Sequence, residues 1–185
     1  MEEQKIITGN TEQEVWEQVA ADLTAEEELF SYDVLINQGN KHIELYIDID
    51  LGGGFEGGSE TTQFSAPLHV TRDFKFAIHD EGFLDTIGKI FGLEDMKTGY
   101  PELDQHVVIK TNVPEKVREL MADSTIRNVF TTLADFDFGI HTHTVEETGI
   151  EQPFLEFNIN QGVTDPETLR KLYHAFYEVL IKLED

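Results

Sequence analysis

Two histidines separated by one residue, His141-Thr142-His143, are the first positions in this sequence whose types and spacing suggest chemistry. Residues two apart in a strand point to the same side, so both imidazoles could reach one metal ion. Asp135 and Asp137 fall on that side too. A zinc or iron site would draw a third ligand from His42, His69, His79 or His106. The competing explanation is the polar face of an edge hairpin, which needs no metal. A second cluster is acidic. Asp48, Asp50 and Glu56 lie around Gly52-Gly53-Gly54-Phe55-Glu56-Gly57-Gly58, and hard cations such as calcium prefer several carboxylates on a flexible loop. The EF-hand pattern fails where Gly52 and Ser59 occupy its fifth and twelfth positions. Asp48 and Asp50 also alternate with Ile47 and Ile49, as residues of a solvated strand end would.

Other chemistries find less support. A phosphate-binding loop ends in Gly-Lys-Ser/Thr before a helix, whereas Gly58-Ser59-Glu60 leads into an alternating stretch, and Glu56 and Glu60 repel phosphate. Ser31, Ser59, Ser65 and Ser124 sit in no Gly-x-Ser-x-Gly elbow. There is no cysteine, which removes thiolate nucleophiles, disulfides and Cys-ligated zinc. Carboxylate pairs for glycoside chemistry cannot be singled out in so acidic a chain.

The elements that would position these residues are mostly strands. Ile43, Leu45, Ile47, Ile49 and Leu51 alternate with His42, Glu44, Tyr46, Asp48 and Asp50, the mark of a strand with one face on a core. Tyr32, Val34 and Ile36 precede it across a Gly39-Asn40 turn. The same period over Thr62–Val70 and Phe74–Ile78 predicts another hairpin, and Phe136, Phe138 and Ile140 pair with Leu155, Phe157 and Ile159 in a last one. A further strand is expected near Val107–Ile109. Helices are expected from the Thr11/Glu14 capping box through Leu23, over Phe83–Phe91, from Pro114, after Ser124, and from Asp165-Pro166 to the end. The hairpins Phe30–Leu51 and Phe136–Gln161 resemble each other, as a duplication or two generic hairpins would.

Composition bounds the rest. At 185 residues, 39% hydrophobic and with 13 Phe, residues 1–185 can form a single domain with a sizeable core. Asp and Glu number 37 against 13 Lys and Arg, a net charge of −24. Such a surface repels phosphate backbones and anionic lipid, which argues against nucleic-acid binding. No apolar run is long enough to cross a bilayer, so no direct membrane insertion is expected. The acidic start Met1-Glu2-Glu3 lacks the form of a signal peptide, and a cytoplasmic location is expected.

Glu81-Gly82-Phe83, Asp85, Ile87-Gly88-Lys89, Phe91-Gly92, Asp95, Thr98-Gly99, Leu103-Asp104 and Val107-Val108-Ile109-Lys110 follow one another in a distinctive order. The series, over about Gly54 to Ala122, resembles an uncharacterised bacterial domain family whose members are often a soluble region adjacent to membrane helices. The chain departs from it at Leu103, where the family tends to have Phe, and in lacking a membrane segment. The resemblance implies no activity and no site residue. Its glycines and Asp104 also suit a structural role, with Asp104 satisfying buried backbone donors.

These readings combine into an α+β fold, a two-layer sandwich whose mainly antiparallel sheet of hairpins is covered on one face by helices. The expected function is a non-enzymatic protein- or peptide-binding module without a cofactor. The alternative is a metal-dependent hydrolase using His141 and His143.

Overall fold

Alternating apolar residues govern the architecture. Among the residues that the computed structural model describes (4–25, 29–53, 57–69, 73–80, 93–145 and 149–184), nine strands join in one sheet and five helices accompany them. In chain order the elements are β1 (Lys5–Gly9), α1 (Glu12–Ala25), β2 (Ser31–Gln38), β3 (Lys41–Asp50), β4 (Ser59–Pro67), β5 (Phe76–Asp80), β6 (Glu94–Met96), α2 (Pro101–Asp104), β7 (Val107–Thr111), α3 (Pro114–Leu120), α4 (Ser124–Thr132), β8 (Phe136–Val145), β9 (Ile150–Ile159) and α5 (Pro166–Glu184). Across the sheet they run β1-β2-β3-β4-β9-β8-β5-β7-β6. The fold is α+β and the sheet mostly antiparallel.

The hairpins β2–β3 and β8–β9 follow the expected alternation, with Val34 opposite Leu45 and Phe138 opposite Phe157. The expected hairpin over Thr62–Ile78 does not form. β4 pairs with β3 on one side and β9 on the other, leaving no edge for β5, which pairs with β7 and β8. One pair is parallel: β1 with β2, joined through α1 as a parallel connection requires. Only Ile7 of β1 is deeply buried, so that strand leaves almost no periodic signal.

One face of the central strands supplies the core. Phe64, Phe136, Phe138 and Phe157 are fully buried. Phe130 of α4 stacks on Phe136 at 5.5 Å and meets Phe138 at 5.1 Å, while Phe176 of α5 lies 5.7 Å from Phe64. Each buried aromatic of this kind contributes a few kcal/mol, about 3–5 on truncation to Ala. Tyr173 buries its ring there and donates its hydroxyl hydrogen to Gln38 Oε1 at 2.7 Å, so no polar atom of that pair is stranded.

Helix starts follow local chemistry. The Glu14 N–H donates to Thr11 Oγ1 at 3.3 Å, and the Glu14 carboxylate accepts from Asn10 N–H at 2.7 Å, one residue earlier than the usual reciprocal bond. Asp165 caps α5 through Thr168 N–H at 2.8 Å. At α4 the cap is Asp123 rather than Ser124: its carboxylate accepts from Thr125 N–H at 2.8 Å, and Ser124 is already the first helical residue. The expected helix over Phe83–Phe91 lies outside the described residues.

Candidate functional site

The β8–β9 hairpin carries His141 and His143 on the sheet face opposite the phenylalanines. The structure gives each imidazole its own carboxylate. His141 Nε2 lies 2.8 Å from Asp137 Oδ2, and His143 Nε2 lies 2.6 Å from Glu156 Oε1. The second contact is a hydrogen bond. The first becomes an ion pair when His141 is protonated, although among the described residues the buried Nε2 has no well-aligned acceptor. Burial alone would pull the His141 pKa down, but Asp137, helped by the charge of Glu156, outweighs it, and the net direction is up from 6.5.

This face is not the fully solvated surface that alternation suggests. Asp137 is 3% exposed and Glu156 7%, and His79, the cross-strand partner of Asp137 on β5, is fully buried. His79 Nδ1 contacts the Asp80 carbonyl oxygen at 2.9 Å, and among the described residues its Nε2 has no hydrogen-bond partner. The topology therefore gathers His79, Asp137, His141, His143 and Glu156 on neighbouring strands. Yet among the described residues no three His, Asp or Glu side chains are arranged to hold a metal ion. His42 contacts Asn37 at 2.6 Å and His106 the Glu102 carbonyl at 2.8 Å, so both are engaged locally. Asp135, with φ of +50°, precedes the strand.

The acidic loop residues are placed differently. Asp48 stands opposite Ser31 and Thr61, and Asp50 opposite Ser59. Asp50 Oδ1 accepts from Gly52 N–H at 2.9 Å, a turn bond that suffices to explain an aspartate there, with Gly52 at φ +69°. Glu56 lies outside the described residues. So do Glu81 to Gly92 of the spaced series, but its later part is described. Asp104 accepts from Thr98 N–H, Thr98 Oγ1 and Gly99 N–H at 2.8–2.9 Å, the structural role expected of it. Leu103 is fully buried.

On the core side of the same hairpin lies a cavity of about 420 Å3. Its apolar wall is Leu68, Phe74, Leu120, Ile140, Pro153 and Leu183, from segments far apart in the chain. A wider groove of about 790 Å3 lies beside α4 and α5. Three of its ionisable groups are already matched with one another: Glu12 binds Arg170 Nε at 2.8 Å and His174 Nδ1 at 2.7 Å.

Among the described residues, the cavity adjoins a stretch of β8 that is paired on one side. β8 is ten residues long and pairs with β9 throughout, but β5 meets it only from Asp137 to Gly139. The Asn160 N–H bond to Asp135 O at 2.9 Å sets the ladder phase, so odd-numbered residues of β8 bond to β9 and even-numbered ones point their backbone groups the other way. Beyond Gly139 those outward groups belong to Ile140, Thr142 and Thr144. At Thr142 and Thr144 no strand lies beside them among the described residues. Family models, curated proteins and solved structures yield no match to this chain.

Proposed function

We propose that this chain is a protein- or peptide-recognition module rather than an enzyme, and that it binds an extended segment by strand addition at the open end of β8. The observation behind this reading is the unequal pairing of β8, matched by β9 to Val145 but by β5 only to Gly139. An added strand would bond to the outward backbone groups of Thr142 and Thr144 and set alternate side chains towards the adjacent cavity. The proposal includes a two-layer sandwich with helices over one sheet face, a cytoplasmic location, and kinship with the bacterial family that the Glu81–Lys110 series resembles.

The test is selection from a random peptide display library on the immobilised full chain, followed by affinity measurements on selected peptides with wild type and Thr142→Pro. Proline removes the outward N–H at 142 without touching the bonds to β9, which come from odd-numbered residues. The expected result is enrichment of an alternating motif and a loss of affinity of about tenfold or more in the variant. Absence of enrichment, or equal binding by a folded Thr142→Pro, would overturn the proposal.

A second reading, the metal-dependent hydrolase, is favoured by the orientation of both imidazoles by carboxylates, as metal-ligating histidines usually are. It requires a third ligand. Elemental analysis of protein purified without chelator decides it: no stoichiometric zinc or iron, or undiminished metal in His141→Ala/His143→Ala, would remove the reading.

A further inference from the structure

One cavity carries a charge pattern opposite to that of the chain around it. Of the 13 Lys and Arg residues in a chain of net charge −24, Lys75, Lys116 and Lys182 all line the 420 Å3 space beside β8. They arrive from three places: the residue before β5, the first turn of α3 and the last turn of α5. Lys182 is accounted for in part by the end of α5, where a cation offsets the helix dipole, and it reaches Asp123 only at 4.0 Å. Lys75 and Lys116 have no such explanation, and among the described residues neither forms an ion pair. The Lys116 Nζ is held 5.1 Å over the ring of Phe74, at the boundary between the amines and the apolar wall.

The carboxylates of the lining do not cancel this charge. Glu184 is already bound by Lys41 and accepts from His69 N–H at 3.0 Å, which leaves Glu119, exposed like Lys75 and Lys182, as the one lining carboxylate facing three lysines. An apolar wall beside two amines that, among the described residues, have no carboxylate partner matches an amphipathic anion. An inorganic anion would leave the wall unused. A neutral apolar molecule would leave the amines without a counter-charge, and a cation would meet three lysines against the single uncommitted carboxylate of Glu119.

We propose that this cavity is a binding site for a medium-chain aliphatic carboxylate. Its chain lies on Leu68, Phe74, Leu120 and Ile140, and its carboxylate sits between Lys75 and Lys116. The cavity adjoins the open edge and shares Thr142 with it, but decanoate binding is read without any peptide, so its failure is distinguishable from a failure of strand addition.

Isothermal titration of the full chain at low salt with decanoate, decanol and decyltrimethylammonium tests it. The expected result is saturable one-to-one binding of decanoate, weaker binding of decanol and none of decyltrimethylammonium. Lys75→Gln/Lys116→Gln should weaken decanoate roughly tenfold while leaving decanol unchanged. Lys75 is exposed and Lys116 half-buried, and glutamine keeps most of each side chain, so the variant should keep the wild-type circular dichroism. Failure to bind decanoate below about 1 mM, equal binding of decanol or the cation, or indifference of decanoate to the double substitution would each overturn the proposal.

Discussion

At the scale of single residues, the telling positions are charged groups whose neighbours hold them in one state. His141 is the clearest. Burial works against its proton, yet Asp137 and the more distant Glu156 prevail and its pKa lies above 6.5. A histidine raised in this way contributes stability that is fully present below the unfolded pKa and is lost as pH rises through the folded one. The denaturation free-energy gap between wild type and His141→Gln should therefore be larger near about pH 5.5 than near about pH 8.5. Urea unfolding at the two pH values checks this, and an equal gap would contradict it. Asp104 shows the opposite sign. Desolvation raises its pKa, but the bonds from Thr98 and Gly99 outweigh it and hold the carboxyl below 3.8. Asp104→Ala removes the acceptor for those donors and should cost about 1–2 kcal/mol at neutral pH. The penalty should shrink as pH falls through the lowered pKa of the folded state. Thermal melts across that range provide the measurement.

At the scale of elements, the point of decision is where β5 parts from β8. Gly139 is the last residue of β8 in register with β5, opposite Ala77. A Cβ at 139 would stand 2.9 Å from Ala77 Cα and closer still to the Phe76 carbonyl oxygen, both backbone atoms. Gly139→Ala must push the strands apart, and a cost of about 1–3 kcal/mol is expected from overpacking of this kind. Amide exchange at Ile78 and Phe138 should rise with it; unchanged exchange and stability would show that the two strands can yield there. The hairpins were legible because their strands run eight to ten residues, long enough for a period of two to show, as from Phe136 to Val145. The partners of β4 and β5 were not, because alternation says which side chains face inward but not which strand lies next. Likewise Asp123, adjacent to Ser124, takes the cap of α4, a choice that two neighbouring polar residues leave open.

At the scale of the whole molecule, the charge of −24 is a destabilising self-repulsion that salt relieves. Raising NaCl from about 20 mM to about 500 mM shortens the screening length several-fold and should raise the thermal midpoint by a few degrees. A flat or falling midpoint would mean that the ion pairs, such as Glu12 with Arg170, contribute more than the repulsion takes away. The sequence by itself determined the α+β class, the inward set of Phe, Ile and Val, most helix starts and the acidic surface. All of these depend on residue type and spacing within a short window. Only the tertiary structure decided that Asp137 and Glu156 are buried beside His141 and His143, because that depends on strand register and on what lies over the face. It alone brought Lys75, Lys116 and Lys182 to one apolar cavity beside the open end of β8. Residues so far apart in the chain meet only when the whole sheet is assembled, and no local pattern records that meeting.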